Sequence, residues 1–269
     1  MRLPLCLAAA WITSAVMGLA PSVSSAGPLP AGPELRRFVT EALPPYVVER
    51  QGKATGPLVD VLRAVCEQLR WRCDIQLLPW RRAYADAEAG RVDGIFPLLQ
   101  TAEREPLFLF TSPVIDARYA LFSRSGQSYV YQGPASLKGR EIGVYGPSGT
   151  SSALAELTRE LPGLVVHTEP DNSTVLRKLG HGRYGEQGLA FINESVALWL
   201  LKQERLQGLQ MAGSAREFTY GFGLVRARWT PADFEQFEDA LQRQCRQGRT
   251  AALLRPYMVP ASACALQPR

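Results

Sequence analysis

The chain has 269 residues, a formal net charge of +5 and 46% hydrophobic residues. That is apolar material for one large domain or two lobes, and far too much for a disordered chain. Its basic residues are scattered and almost all Arg, without a Lys/Arg block interleaved with aromatics, which argues against a nucleic-acid partner.

The chain opens with Arg2, an apolar run from Leu3 to Leu19 and small residues ending Ser24-Ser25-Ala26. A charged head, an apolar middle and a small-residue end are the parts of a secretory leader, with cleavage expected after Ala26. The run is short and interrupted for a membrane anchor. Cys6 lies too early to be a lipid-bearing cysteine at the cleavage point. The mature chain is then Gly27 to Arg269, exported and periplasmic, with four cysteines: Cys66, Cys73, Cys245 and Cys264. Four thiols allow three pairings. Export favours disulfides, and sequence neighbours make two natural pairs, Cys66 with Cys73 and Cys245 with Cys264. Metal ligation is the rival, but the spacings are not those of a zinc site. His167 and His181 sit far from every cysteine. No metal and no cofactor is expected.

Leu35 to Leu43 reads as a first strand, closed by Pro44-Pro45. Leu58, Val61, Leu62, Val65 and Leu69 recur at helical spacing after the Gly56-Pro57 turn. Asp74 to Leu78 is a strand. Pro79 begins a second helix, with Trp80, Ala83, Tyr84 and Ala87 on one stripe and Gly90 as its stop. Short strands follow at Val92–Phe96, Leu107–Phe110 and Tyr119–Ser123, with one helical turn at Thr101–Glu105. From Glu141 the pattern restarts. A strand runs from Ile142 to Tyr145, then a small-residue loop from Gly146 to Ser151. Next come a helix with Leu154, Leu157 and Leu161, a strand at Leu164–Val166, and a helix around Val175–Leu179. A strand at Leu189–Ile192 leads into a helix from Ser195 to Lys202. Separate strands are expected at Leu209–Ala212 and Phe218–Val225. Thr230-Pro231-Ala232-Asp233 opens the last helix with a Thr cap, Pro in the first turn and an acid behind it. Strands alternate with helices twice over, which argues for α/β lobes with largely parallel sheets.

At this point the residues resemble a known family, the extracellular solute-binding proteins of the amino-acid-binding type that serve ATP-driven importers. The resemblance covers nearly all of the mature chain. "GPLVDVLRAVCEQL" and "PWRRAYADAEAGRVDGIF" look like that family's first two helices, and "TAEREPLFLFTSPV" like its anchor arginine and the strand leading to the hinge. "IGVYGPSGTSS" resembles the ligand loop, and "LAFINESVALWLL" the segment bearing the ammonium-binding acid. The seven-residue step from Cys66 to Cys73 also occurs as a disulfide in basic-amino-acid members.

The resemblance implies a monomeric, two-lobed clamp of the Venus-flytrap type. One lobe is residues 27–116 plus 214–269 and the other is 117–213, with hinge crossings near Val114–Tyr119 and Ala212–Phe218. A small ligand lies between the lobes and favours the closed state. The partner is the membrane permease of an ATP-driven importer, or a sensor receptor.

Arg104 is expected to hold a ligand carboxylate through two parallel hydrogen bonds; its competing role is a surface pair with Glu103 or Glu105. Gly149, Thr150 and Ser151 offer backbone donors and hydroxyls at a helix start, against plain capping. Glu194 falls where relatives carry the ammonium-binding acid, with Asn193 as the neighbouring candidate. Tyr46 follows the double proline where relatives place a covering aromatic, and Trp80 is the second aromatic candidate. Two departures leave the ligand class open among an amino acid, a dicarboxylate, a modified amino acid, a peptide fragment and another polar metabolite. Phe96-Pro97-Leu98-Leu99-Gln100 lacks the usual hydroxylic pair and is one residue short, and Leu58 replaces the first acid of "F-D-x-D". The enzyme rival is a dehydratase like cyclohexadienyl dehydratase, which needs a positioned acid in the cleft, with Glu194 as candidate. Binding without turnover is the expected reading.

Overall fold

The computed structural model describes residues 35–264. The leader and its cleavage point lie outside the described residues. β1 (Leu35–Thr40) is buried on both faces at Phe38, Val39 and Thr40, as suits a strand held between parallel neighbours. It ends three residues earlier than expected because its partners end with it, at Thr40↔Leu77 and Thr40↔Phe96. A hairpin that the hydrophobic pattern does not announce follows, β2 (Val48–Arg50) and β3 (Lys53–Thr55). Its two turn residues, Gln51 and Gly52, both have positive φ, as a two-residue hairpin turn of this hand requires.

α1 (Pro57–Leu69) starts on its proline and buries the apolar stripe read from the sequence. It leads into β4 (Arg72–Leu77) and then α2 (Trp80–Glu88), which stops at Ala89 and Gly90. β5 (Gly94–Leu98) runs two residues later than expected and includes Pro97. That proline is tolerated because the ladder to the next strand shifts register there, between Gly221 and Gly223. β6 (Phe108–Phe110) is short, and β7 (Ile115–Arg124) is twice the length expected.

The second half comprises β8 (Glu141–Tyr145), α3 (Gly149–Leu157), β9 (Val165–Glu169), α4 (Asn172–Gly180), β10 (Leu189–Asn193) and α5 (Glu194–Gln203). β11 (Leu209–Val225) then replaces the two strands expected there with one of 17 residues. Gly213 and Ser214 do not break it. Bulges at Met211/Gly213 and Ser214/Arg216 absorb the irregularity while β7 keeps pairing alongside. α6 (Pro231–Arg246) carries the expected capping box between Thr230 and Asp233, and a further helix, α7 (Arg249–Leu254), follows Gly248. Both natural disulfides form, Cys66–Cys73 and Cys245–Cys264.

The strand order is β4-β1-β5-β11-β7-β10-β8-β9, with β6 also on β11. β4, β1 and β5 are mutually parallel, as are β10, β8 and β9. The long antiparallel ribbon of β7 and β11 joins these two groups. This is a two-lobed fold with two strand crossings. Phe38, Phe222 and Phe237 pack ring against ring in one lobe. In the other, Tyr119 packs on Phe191 beside Leu121, Ile142 and Leu154. Truncating a ring such as Phe237 to Ala would cost roughly 3–5 kcal/mol. Among the described residues no helix is long and apolar enough to cross a membrane, and no cluster of three metal-ligating side chains exists.

Candidate functional site

In open α/β sheets, ligands bind outside the carboxyl ends of the parallel strands. Here those ends face one another across the two lobes. Glu41 and Leu43 follow β1, Pro97 and Leu99 lie at the end of β5, and Tyr145 ends β8. Together with Trp80, Arg104, Ser148, Gly149, Thr150 and Tyr220 they enclose a cavity of about 30 Å³. An open chamber of about 470 Å³ adjoins it and shares Glu41, Leu43, Trp80 and Tyr145.

Arg104 reaches this cavity from a tight turn in which its own amide is held by Thr101. One guanidinium nitrogen, Nη1, donates to the Leu99 carbonyl at 2.9 Å. The guanidinium also lies 5.8 Å from the Trp80 ring centre and 5.5 Å from that of Tyr84. Aromatic faces fix the cation without consuming its remaining donors. Arg104 is therefore aimed rather than paired with Glu103 or Glu105. Across the cavity lies Gly149. A Cβ there would stand 3.9 Å from Arg104 Nη1, 3.7 Å from the Tyr119 hydroxyl and 3.6 Å from Leu99. The absence of a side chain at 149 keeps the space before the guanidinium open.

Ser148 and Ser151 are engaged with each other. The Ser148 hydroxyl caps α3 by accepting from the Thr150 and Ser151 amides, and Ser151 Oγ accepts from the Ser148 amide. Ser151 thus completes a capping box and does not line the cavity, whereas Gly149 and Thr150 do.

Glu41 is the residue missed from sequence. Its carboxylate accepts a hydrogen bond from the Tyr145 hydroxyl at 3.1 Å. Burial raises its pKa from 4.5 to about 7, partly offset by that bond. Burial also holds the Tyr145 phenol above its usual range, with Glu41 beside it adding to the effect. Near Gly149 the buried Tyr119 phenol is pushed up to about 12, chiefly by burial, with Thr150 and Tyr220 moderating the rise. Its buried oxygen has no partner at hydrogen-bond geometry among the described residues.

Two expected site residues stand elsewhere. Tyr46 is fully buried, packs edge-on against Tyr220 and donates to Asn193 Oδ1 at 3.0 Å. It supports the floor from behind and is not a wall. Glu194 pairs with Arg118 and lines a separate groove with Glu217 and Met258. Asn193 ends β10 and caps α5 while bonded to Tyr46, and Glu194, the first residue of α5, turns to Arg118, so neither lines the cavity. A signal for Glu41 and Tyr145 was present in their position, each at the carboxyl end of a parallel strand, but only the topology shows that those two strands face one another.

The sequence matches the bacterial extracellular solute-binding proteins, family 3, over residues 35–260. No curated protein matches it significantly. Among solved structures, an ancestral arginine-binding protein bound to arginine is 20% identical, with a TM-score of 0.73 over 84% of this chain and 99% of that one. A histidine kinase sensor domain with similarity to periplasmic binding proteins is 21% identical, with a TM-score of 0.75 over 86% of this chain and 99% of that one. The ancestral amino acid-binding protein AncCDT-1, a precursor of cyclohexadienyl dehydratase, is 17% identical, with a TM-score of 0.70 over 83% of this chain and 94% of that one. At these identities the structures share the fold, and the family match over most of the chain is the stronger statement: this chain belongs to the family 3 bacterial extracellular solute-binding proteins.

Proposed function

We propose that this protein captures a small carboxylate-bearing solute, an amino acid or a close analogue, between its two lobes outside the cytoplasm and delivers it to a membrane importer. The carrying observation is the Arg104 guanidinium, held by Leu99 and two aromatic rings and facing Gly149 across a small cavity. A guanidinium fixed in this way is suited to a carboxylate. Glu41 stands on the same cavity wall, so the site offers a cation for a carboxylate and a hydrogen-bonding acid for an α-substituent. In this reading residues 27–116 with 214–269 form one lobe and 117–213 the other. Export depends on the leader ending at Ala26, and the partner is a permease or a sensor receptor; the likeness to a histidine kinase sensor domain supports the latter.

The test is a thermal-shift screen of Gly27–Arg269 against amino acids and organic acids. A solute that binds only the folded state raises the midpoint. The rise must vanish in Arg104→Ala; a rise that survives that substitution removes Arg104 from the site and with it the carboxylate reading.

Glu41 supports a second reading. A cleft acid with a pKa of about 7 is poised to donate a proton near neutrality, and AncCDT-1 is described as the precursor of a dehydratase. In this second reading the proton donor is Glu41 rather than Glu194. Loss of substrate during incubation with a ring-bearing carboxylic acid, abolished in Glu41→Gln, would establish turnover over binding.

A further inference from the structure

The inner cavity and the outer chamber differ in size and in chemistry. The space of about 30 Å³ beside Arg104 is small and suits a compact polar group such as a carboxylate. The adjoining chamber of about 470 Å³ is far larger. The two meet at Glu41 and Tyr145, which are hydrogen-bonded to each other, and at Leu43 and Trp80.

Two of the acids on the outer walls already have hydrogen-bond partners. The Asp171 carboxylate accepts from the Thr174 amide at 2.6 Å and from its hydroxyl at 3.0 Å, capping α4. Glu204 accepts from Ser173 and lies 3.8 Å from Arg177. Beside the polar Asn172 and Ser173, the walls carry an apolar set: Leu43, Pro44, Trp80, Pro170, Val196 and Leu200. A group entering this chamber gains by burying that apolar set and finds Asp171 and Glu204 already hydrogen-bonded.

Resting on the carboxylate reading above, we infer that the ligand is an α-amino or α-hydroxy acid with a large apolar or aromatic side chain. Its carboxylate sits at Arg104, its α-substituent faces Glu41, and its side chain fills the outer chamber between Trp80 and Leu200. A small polar amino acid leaves the chamber walls in contact with water and forfeits that burial.

The test compares four acids by titration calorimetry on the full mature chain: L-phenylalanine, L-alanine, L-phenyllactate and L-lactate. The phenyl compounds are expected to bind at least about tenfold tighter than their methyl counterparts, as a filled apolar pocket gives. Ala42 is exposed and lines only the outer chamber. Ala42→Trp should weaken phenylalanine by about tenfold or more and leave alanine within about twofold; Pro170→Trp is the second filling variant should the first not fold. Equal binding of phenylalanine and alanine overturns the inference, as does indifference of phenylalanine to a folded filling variant, or failure of all four acids to bind. Arg104→Ala separates the two readings. Loss of binding there without side-chain preference leaves the carboxylate site standing and removes only this inference. Undiminished phenylalanine binding in Arg104→Ala removes the carboxylate site itself.

Discussion

Tyr145 donates a hydrogen bond to the Glu41 carboxylate, joining the carboxyl end of β8 to the residue just past β1 and so linking the two parallel strand groups across the cleft. The bond stands where the inner cavity meets the outer chamber. An acid in that place has a consequence for stability as well as for recognition.

In the folded chain Glu41 keeps its proton up to about pH 7, because burial disfavours the charged form. In the unfolded chain it loses it near 4.5. A raised folded pKa contributes stability that is complete below the unfolded value and is lost as pH climbs through the folded one. The midpoint of the wild type relative to Glu41→Gln is therefore expected to fall between about pH 4.5 and pH 7. The loss is up to about 3 kcal/mol, and less where opening of the cleft rehydrates the acid. Asp86, Asp233 and Glu156, whose pKa values are lowered by arginine partners and hydrogen bonds, act in the opposite direction and cancel in the difference. Melting curves of both proteins from pH 4 to 9 test it, and parallel curves would show that Glu41 is hydrated in the folded state.

Gly149 is open for a reason that a pair of substitutions can expose. A Cβ at this position meets only ordinary contacts of 3.6 to 3.9 Å, so Gly149→Ala should fold with a midpoint close to wild type. Gly149→Val adds two methyl groups directed at the space before Arg104. Its stability should change by no more than about 1 kcal/mol, yet the thermal shift given by the best wild-type ligand should disappear. A normal ligand response in Gly149→Val would place the bound carboxylate somewhere other than before Arg104.

Much of this site was legible in the sequence, and the limit of legibility is physical. Trp80, Arg104, Gly149 and Thr150 lie within local patterns, a helix start, a tight turn and a strand–loop–helix, and the structure brings all four to one cavity. The same local logic reads the α6 capping box and the neighbouring cysteine pairs. Glu41, Tyr145 and Tyr220 come together from strands more than seventy residues apart, and no local period records that meeting. Glu194 shows the other limit. The chain passes from β10 into α5 between Asn193 and Glu194, which turns one to Tyr46 and the other to Arg118 and brings neither to the cavity, and composition does not carry that direction. β11 was read as two strands because a glycine looks like a break, whereas continuous pairing with β7 turns it into a bulge.

Tyr46 tests the floor rather than the wall. Its hydroxyl donates to Asn193 Oδ1, which also accepts from the Val196 amide to cap α5. Tyr46→Phe removes one buried hydrogen bond and leaves the helix cap in place, so the cost should be about 1–2 kcal/mol in urea unfolding. Because Tyr46 lines neither cavity, ligand affinity should stay within about threefold once the variant is folded, a much smaller effect than the loss of a direct polar contact. A selective loss of affinity at unchanged stability would return Tyr46 to the ligand wall.

The Cys245–Cys264 disulfide closes the C-terminal segment over the first crossing strand. Between these cysteines the chain passes through α7 and then lies against the start of β7. Ala261 bridges Ile115, the Ser262 amide donates to the Val114 carbonyl at 3.0 Å, and the Asp116 amide donates to the Pro260 carbonyl at 3.2 Å. The segment is thus a strap on β7 where that strand enters the crossing. A cross-link over 19 positions contributes on the order of 3 kcal/mol, chiefly by restricting the unfolded chain. Cys245→Ser with Cys264→Ser should therefore lower the midpoint and also speed amide exchange at Asp116 and Ser262 over that in the β1–β5 region. Exchange that rises equally across both regions would mean that the disulfide acts on global stability alone. A local rise at the strap would show that it holds the crossing strand in register, and the two double-serine measurements together separate these effects.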